Sequence, residues 1–217
     1  MGEQERHGRQ RLKVTLPDTG YASRMYRAGR VRLAETSRTF DNHLVMKKLL
    51  LIPALLVLGC FCAGLYGALH DQLSYVVSPE YFTRFKFFQF NIPPHLHDHV
   101  GAAIVGWSAT WWMGIVIGVF IIPTGLIIRG TKTFFITILK SFVVVTLTAA
   151  VIGLGALLVS FFTIQESALP PFWYPDGIID KVSFARVGTM HNFSYLGGII
   201  GIITGVVYLI RARSKTK

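Results

Sequence analysis

The sequence predicts an all-α integral membrane protein, a bundle of four transmembrane helices with both termini in the cytoplasm. Two observations support this prediction: long stretches without charge, and an unequal distribution of charge between the segments that join them. The stretches without Asp, Glu, Lys or Arg are residues 49–69, 100–128, 141–165 and 192–210. Each is near or above the ~20 apolar residues that a helix needs to cross a hydrocarbon core of ~30 Å.

The charge distribution predicts the orientation. Eighteen basic and five acidic residues lie before the first stretch, between the second and third, and after the fourth, which gives a net charge of +13. The two remaining segments, about residues 70–99 and 166–190, carry four basic and six acidic residues, or −2. Because short loops rich in Lys and Arg stay in the cytoplasm, these two segments are predicted to be outer loops. Anionic lipid headgroups at the cytoplasmic face account for the positive charge, so no nucleic-acid partner is expected.

Two domains are predicted. Residues 1–46 are basic and lack an apolar period, which is typical of a disordered cytoplasmic tail, and residues 47–217 form the transmembrane domain. From Met46, the basic pair and the apolar run that follow resemble the natural start of a membrane protein. The tail is therefore either a real cytoplasmic extension that touches anionic lipid or upstream sequence attached by an early start codon.

The first outer loop is predicted to contain a short helix. Ser78, Pro79 and Glu80 supply an N-cap, a proline at the first position and an acid in the first turn. Residues 81–90 hold five phenylalanines, one tyrosine and two cations, which favours a helix lying at the headgroup level.

In the second stretch, Pro123 is expected to kink the helix or to mark its cytoplasmic end. Trp107, Trp111 and Trp112 are expected to anchor its outer start in the membrane interface, with inward packing of Trp107 and Trp111 as the alternative.

Glycine spacing predicts close helix packing. Gly197, Gly201 and Gly205 recur at i, i+4 and i+8 in the fourth stretch, and Gly114 and Gly118 repeat the spacing in the second. Such spacing lets a neighbouring backbone approach closely. The neighbour is expected to be a helix of the same chain, and the alternative is a second copy in a homo-oligomer.

One segment also carries a resemblance. His70-Asp71-Gln72, residues 78–83, residues 85–87 and Gln89-Phe90 resemble the first outer loop of uncharacterised bacterial multi-pass inner-membrane proteins with four helices. The resemblance implies a bacterial inner-membrane location and implies no activity.

Ionisable residues collect at the outer ends of the predicted helices. They form a candidate outer polar site that consists of His70, Asp71, His95, His97, Asp98, His99, Glu166 and His191. Ionisable side chains near a membrane core usually face the bundle interior or a wet cavity, so these groups are expected to converge.

Three interpretations of this site remain open. Imidazole and carboxylate ligands suit zinc, copper, iron or nickel, which makes His97, His99 and His191 candidate metal ligands. In that case His97, His191 and either His70 or His99 reach one ion, Asp71 or Asp98 orients a ring, and haem is the alternative cofactor.

The second interpretation is acid–base catalysis by Glu166 or Asp98 with His191 as partner. The third is structural: the histidines are scattered, and Asp98 is the N-cap of the second helix. No metalloenzyme signature such as His-Glu-x-x-His is present in the sequence.

The sequence therefore favours a multi-pass membrane protein that binds a partner, lipid or metal through its outer face. The alternative is a small membrane enzyme, or a protein that handles a metal or haem, using the outer cluster. None of the four stretches has a charged residue at mid-depth, which argues against an ion-coupled pump or transporter.

Overall fold

The computed structural model describes the backbone of residues 20–215 and the side chains of residues 29–32 and 45–214. Within this part of the chain the fold is all-helical, as predicted, and contains no strand. The long helices are α1 (Gly20–Val77), α4 (His99–Thr110), α5 (Met113–Gly125), α6 (Thr131–Thr163) and α7 (Lys181–Lys215). The short ones are α2 (Pro79–Tyr81), a π-helical turn (Phe82–Lys86), α3 (Phe87–Gln89) and two 3₁₀ turns (Pro94–Leu96 and Glu166–Ala168).

Three helical segments are long and apolar enough to cross a membrane: Val45–Val77, Thr131–Thr163 and Lys181–Ser214. Helices α4 and α5 add a fourth if the pair, which is bent by 42°, is counted as one span. The four charge-free stretches therefore correspond to these helices. Helices α1 and α7 extend beyond both ends of their charge-free stretches and α6 begins ten residues before its own, whereas α5 ends at Gly125, three residues before the second stretch does.

The chain divides into two units, Met1–His43 and Leu44–Lys217. Residues 1–19 of the predicted tail lie outside the described residues. Residues 20–46 are helical, whereas their composition is typical of a disordered tail. Ala, Arg, Leu and Met recur here and favour a helix even where no apolar period is present.

Small residues join α1 to α4 and α5. A Cβ atom on Gly106 would overlap the backbone of Gly67, and one on Gly114 would overlap the α1 backbone in the same way. Between these points, Thr110 Oγ1 donates a hydrogen bond to the Ala63 carbonyl at 2.8 Å. Helix α1 therefore touches α4 and α5 backbone to backbone, which only small residues permit.

A second contact of this kind joins α6 and α7. Cβ atoms on Gly197 and Gly201 would lie 2.9 and 2.8 Å from backbone atoms of α6. Ser141 Oγ on α6 donates to the Gly205 carbonyl at 3.1 Å. The three glycines singled out in the sequence thus face another helix of the same chain.

The bend in the second span lies at Trp111 and Trp112 rather than at Pro123. At the bend, the N–H groups of Gly114 and Ile115 bond to carbonyls three residues earlier, at 3.1 and 3.0 Å. This tighter local winding changes the direction of the axis. Pro123 instead lies near the end of α5, which is the second of the two roles expected for it.

The tryptophans of the second span do not form one outer belt. Trp107 packs edge-on against Phe61 of α1, with ring centroids 5.6 Å apart. Trp111 and Trp112 are exposed at the bend, about 18 Å along the helix from His99 at a rise of ~1.5 Å per residue. They lie too far from the helix start to anchor it at the outer interface.

At the end of the bundle where α5 finishes, one buried lysine side chain links α1 to the residues that follow α5. Lys48 Nζ on α1 donates to the carbonyls of Leu126 and Ile128, at 3.1 and 2.5 Å, just after α5 ends. Lys48 is 7 % exposed. A cation at the carbonyl end of a helix satisfies acceptors that the helix leaves without partners.

Residues 79–89, here called the loop helix, cover the end of the bundle where α1 finishes and α7 begins. This end is predicted to face outward and is called the outer end below. Ser78 is its N-cap, as predicted, since its Oγ accepts from Tyr81 N at 3.3 Å. Phe82 and Phe87 are buried in a cluster with α4 and α7. The aromatic face predicted to lie among headgroups therefore packs largely against protein.

Glu80 ties the loop helix to the start of α7. Its carboxylate accepts from Ile179 N at 3.1 Å and from Asp180 N at 2.8 Å. An acid at a helix N-terminus satisfies free N–H groups and opposes the helix dipole. The loop helix is thereby held over the outer ends of α1 and α7.

Candidate functional site

Two histidines and an aspartate meet where α1 and α7 pack together. His70 Nδ1 lies 3.1 Å from Asp71 Oδ1, and His191 Nε2 lies 3.6 Å from the same oxygen. The two imidazole rings are in edge-to-face contact, with centroids 4.7 Å apart. One ligand atom from each of the three residues can be chosen so that all lie within 4.8 Å of one another. We call these residues the His/Asp group; no other such group of three occurs among the described residues.

The His/Asp group is buried and incompletely hydrogen-bonded. Asp71 is 3 % exposed, and the side chains of His70 and His191 are 7 % and 12 % exposed. His191 Nε2 is buried and has no hydrogen-bond partner, since 3.6 Å from Asp71 is too long for a hydrogen bond. A buried polar atom without a partner is costly, so this nitrogen calls for an explanation.

The other ring nitrogen of His70 is held by α7. Its Nε2 lies 3.0 Å from Ser194 Oγ, which also accepts a hydrogen bond from Tyr66 OH at 3.4 Å. The backbone carbonyl of His70 accepts from Ser74 Oγ at 3.1 Å. The contact with Ser194 orients the imidazole ring so that Nδ1 is directed at Asp71.

The loop helix supplies the remaining side of the site. Tyr81 stacks on the His191 ring, with centroids 5.0 Å apart. Lys86 faces the same space and donates to Gln89 at 3.0 Å. Burial lowers the pKa of Lys86, and the carboxylate of Asp71 acts in the opposite direction. The π-helical turn Phe82–Lys86 sets the positions of Tyr81 and Lys86, and such turns are frequent at functional sites.

A cavity runs from the His/Asp group into the bundle. Its volume is about 80 Å³. Lys86 and the His/Asp group lie at one end, and Gly59, Ile117 and Phe142 lie at the other. Since at least ~10–15 Å³ admits one water, the cavity is large enough for something larger than an isolated water.

The structure does not bring His97 or His99 into the His/Asp group. His97 Nε2 lies 2.9 Å from the Ile92 carbonyl, and His99 Nδ1 lies 3.0 Å from Gln72 Oε1. His95 is exposed. A 3₁₀ turn and then the start of α4 interrupt this segment, so the three histidines share no face.

The two carboxylates proposed for acid–base catalysis also lie elsewhere. Asp98 is the N-cap of α4, as the structural interpretation predicted, because its Oδ1 accepts from Val100 N at 2.7 Å and from Gly101 N at 3.2 Å. Glu166 is exposed in the 3₁₀ turn Glu166–Ala168. Asp71 is instead the carboxylate beside His191.

Four residues of the site were missed from the sequence: Tyr66, Tyr81, Lys86 and Ser194. Helical spacing could have found two of them, because Tyr66 precedes His70 by four residues and Ser194 follows His191 by three. Residues so spaced share a helix face. Lys86 had no such signal, since its position depends on how the loop helix folds back.

No family model matches the chain, and no curated protein or solved structure matches it. The assignment of function therefore rests on the chemistry of the His/Asp group and its surroundings.

Proposed function

We propose that the chain is a four-span protein of the bacterial inner membrane that binds a divalent first-row transition-metal ion. The ion is held near the outer end of the bundle by His70, Asp71 and His191. The observation that carries this proposal is the buried His191 Nε2, which has no hydrogen-bond partner and is directed at a buried carboxylate. A cation between them supplies the missing partner and offsets the buried negative charge.

The distances support an ion of this size. With metal–nitrogen and metal–oxygen bonds of about 2.0–2.1 Å, neighbouring ligand atoms of a tetrahedral ion are about 3.3 Å apart. The separations of 3.1 and 3.6 Å at Asp71 Oδ1 bracket this value. The widest separation, up to 4.8 Å, would have to shorten by about 1.5 Å when the ion binds.

The donor set favours zinc or iron. Two imidazoles and one carboxylate form the protein ligands of catalytic zinc sites and of non-haem iron sites, which keep further positions open. The open position here faces the cavity. A haem between the two histidines is disfavoured, because their rings touch edge to face and leave no space for a macrocycle.

The charge distribution supports the orientation of the spans. The loops beside the His/Asp group belong to the segments with a net charge of −2, and the opposite ends carry +13. Positive segments remain in the cytoplasm and meet anionic headgroups there. The site would then face the periplasmic side, and the resemblance in the first outer loop supports the bacterial setting.

A second candidate function follows from the order of hydrogen bonds. Ser194 Oγ lies 3.0 Å from His70 Nε2, and His70 Nδ1 lies 3.1 Å from Asp71 Oδ1, which is the order of a serine-hydrolase triad. Ser194 Oγ would attack an acyl ester, its proton would pass to His70 and then to the departing alcohol, and water would release the acid. This function leaves His191 Nε2 unexplained, so metal binding ranks first.

Elemental analysis of the purified full-length protein tests the metal site. We expect close to one zinc or iron per chain in the wild type and a loss of most of it in a His70→Ala/His191→Ala variant. A matched His97→Ala/His99→Ala variant, which removes the same number of imidazoles outside the group, should retain the metal. Equal metal content in the wild type and the first variant would contradict the proposal.

Labelling with a fluorophosphonate tests the second candidate. The triad predicts covalent labelling of the wild type that is lost in Ser194→Ala and retained in Ser160→Ala. Ser160 is a suitable control, because it is also buried in a helix but has no histidine partner. No labelling of the wild type would remove the hydrolase candidate and leave the metal proposal unaffected.

A further inference from the structure

The cavity beneath the His/Asp group has the dimensions of one hydrocarbon chain. From His70 to Gly59 it follows eleven residues of α1, or about 16 Å at a rise of ~1.5 Å per residue. A volume of about 80 Å³ is small for this length, so the cavity is a narrow bore. A methylene group has a radius of about 2 Å, since carbons pack at ~3.5–4.0 Å. The narrow bore therefore suits a single unbranched chain better than a ring system.

The walls and ends of the cavity differ in chemistry. Along its length the lining is mostly apolar and includes small residues such as Ala63, Gly106 and Gly198. Gly198 is buried, yet a Cβ placed on it would meet no atom within 4 Å, so it faces open space. The lysine, aspartate and histidine side chains of the lining, which are Lys86 and the His/Asp group, are confined to the outer end. An apolar bore with polar groups at one end suits an amphiphile.

We infer that this cavity binds one linear acyl chain whose anionic head lies beside Lys86 and the two histidines. The chain extends inward past Gly198 and ends near Ile117 and Phe142. Lys86 supplies the positive charge for a carboxylate or phosphate head. The inference goes beyond the metal site, because the walls of the cavity exist whether or not an ion is bound.

The length of the cavity limits the ligand. With carbon–carbon bonds of about 1.5 Å, an extended chain advances about 1.3 Å per carbon, so about 12 carbons fill 16 Å. Free fatty acids and single-chain phospholipids both present this chemistry, and competition between them identifies the source of the chain.

Photo-crosslinking tests the inference. The full-length protein in lipid nanodiscs is incubated with a 12-carbon fatty acid that carries a diazirine at its methyl end, illuminated and digested for mass spectrometry. We expect labelled peptides to contain the residues at the inner end of the cavity, Ile117 and Phe142. Labelling only of lipid-facing positions, such as Val151 and Leu158, would overturn the inference.

Glycine variants supply the matched comparison. Gly198→Leu places a side chain in the bore and should reduce labelling of the inner end at least five-fold. Gly155→Leu adds the same side chain on α6 at a position that is exposed and outside the cavity, and it should leave the labelling unchanged. Equal labelling in the two variants would refute the inference. If Gly198→Leu fails to fold, Ala109→Leu narrows the same cavity and replaces it.

Competition by unlabelled amphiphiles identifies the head group of the ligand. Unlabelled dodecanoate should compete better than dodecanol in the wild type, and this difference should shrink in Lys86→Gln. Stronger competition by a 12-carbon lysophospholipid than by dodecanoate would assign the chain to a phospholipid, and the reverse to a free acid. The same competition series is repeated with a chelator, which removes any bound ion. Loss of the metal site and loss of acyl-chain binding are then observed separately. No competition by any of these amphiphiles would count against the inference.

Discussion

Replacing Gly106 with alanine is expected to destabilise the bundle. A Cβ atom at this position would overlap the carbonyl group of Gly67 and lie 2.9 Å from Ala68 N. All of these atoms belong to the backbone of α1, so no side-chain rotation relieves the overlap. Helices α1 and α4 must therefore separate by on the order of 1 Å to reach ordinary contact distances of ~3.5–4.0 Å.

The magnitude follows from what this separation disrupts. Overpacking a close contact costs about 1–3 kcal/mol. Separation also weakens the hydrogen bond from Thr110 to the Ala63 carbonyl, at 2.8 Å, and a hydrogen bond of this type contributes about 1 kcal/mol. Alanine is a better helix former than glycine by about 1 kcal/mol, which offsets part of the cost. The net expectation is a loss of about 1–3 kcal/mol.

In the assay, the purified protein is heated in detergent and its unfolding is monitored by circular dichroism. For a protein of this size, each kcal/mol corresponds to roughly 2–4 °C in Tm. Gly155→Ala and Gly198→Ala are the controls, because a Cβ atom at either position meets nothing within 4 Å. We expect both controls to unfold at or slightly above the wild-type Tm. If Gly106→Ala unfolds with the controls, the backbone contact between α1 and α4 is not present in the folded protein.

Three further outcomes are expected. Lys48→Met should lower stability by about 1.5–3 kcal/mol because the carbonyls after α5 lose a charged donor, whereas Lys47→Met, at an exposed position, should not. Hydrogen bonds from Ser183 lower the pKa of Asp180, so its contribution to stability is present above the unfolded value of about 3.9 and is lost as pH falls through the lower folded value. The stability difference between the wild type and Asp180→Asn should therefore be measurable at pH 7 and vanish in acid; a difference that persists at pH 2 would contradict this. Single cysteines at Gln89 and Asp176, on a cysteine-free background, should react with an impermeant maleimide from outside; labelling only after the inner face is opened would overturn the orientation.

The all-helical fold could be predicted because its signal is one of composition. A charge-free stretch of about 20 residues has few alternatives to a helix that is long enough to cross a membrane. The cap at Ser78 and the cap at Asp98 were also predictable, since each depends on residues adjacent in sequence. The bend at Trp111 was not predictable, because no proline or glycine pair marks it and it accompanies contacts made with α1.

The site was predicted only in part, because its contacts join residues that are far apart in the sequence. The candidate residues included His70, Asp71 and His191, but nothing in the sequence separated them from His97 and His99. That separation depends on which helix faces meet: α1 and α7 touch at the outer end, whereas residues 94–99 turn onto α4. Predicting Ser194 would have required applying the helix period from His191. Predicting Lys86 would have required knowing how the loop helix folds.

The His/Asp group unites residues from opposite ends of the membrane domain. His70 belongs to the first span and Ser194, its partner, to the last, 124 residues later. Under the proposed four-span topology, α1 enters the membrane during synthesis before α7 exists, so Asp71 at first has only its neighbour His70 and the water at the membrane boundary. The second imidazole arrives with the final span. Under the proposed function, a chain that stops before residue 191 cannot hold the ion, and metal uptake marks the moment at which the whole protein has been inserted.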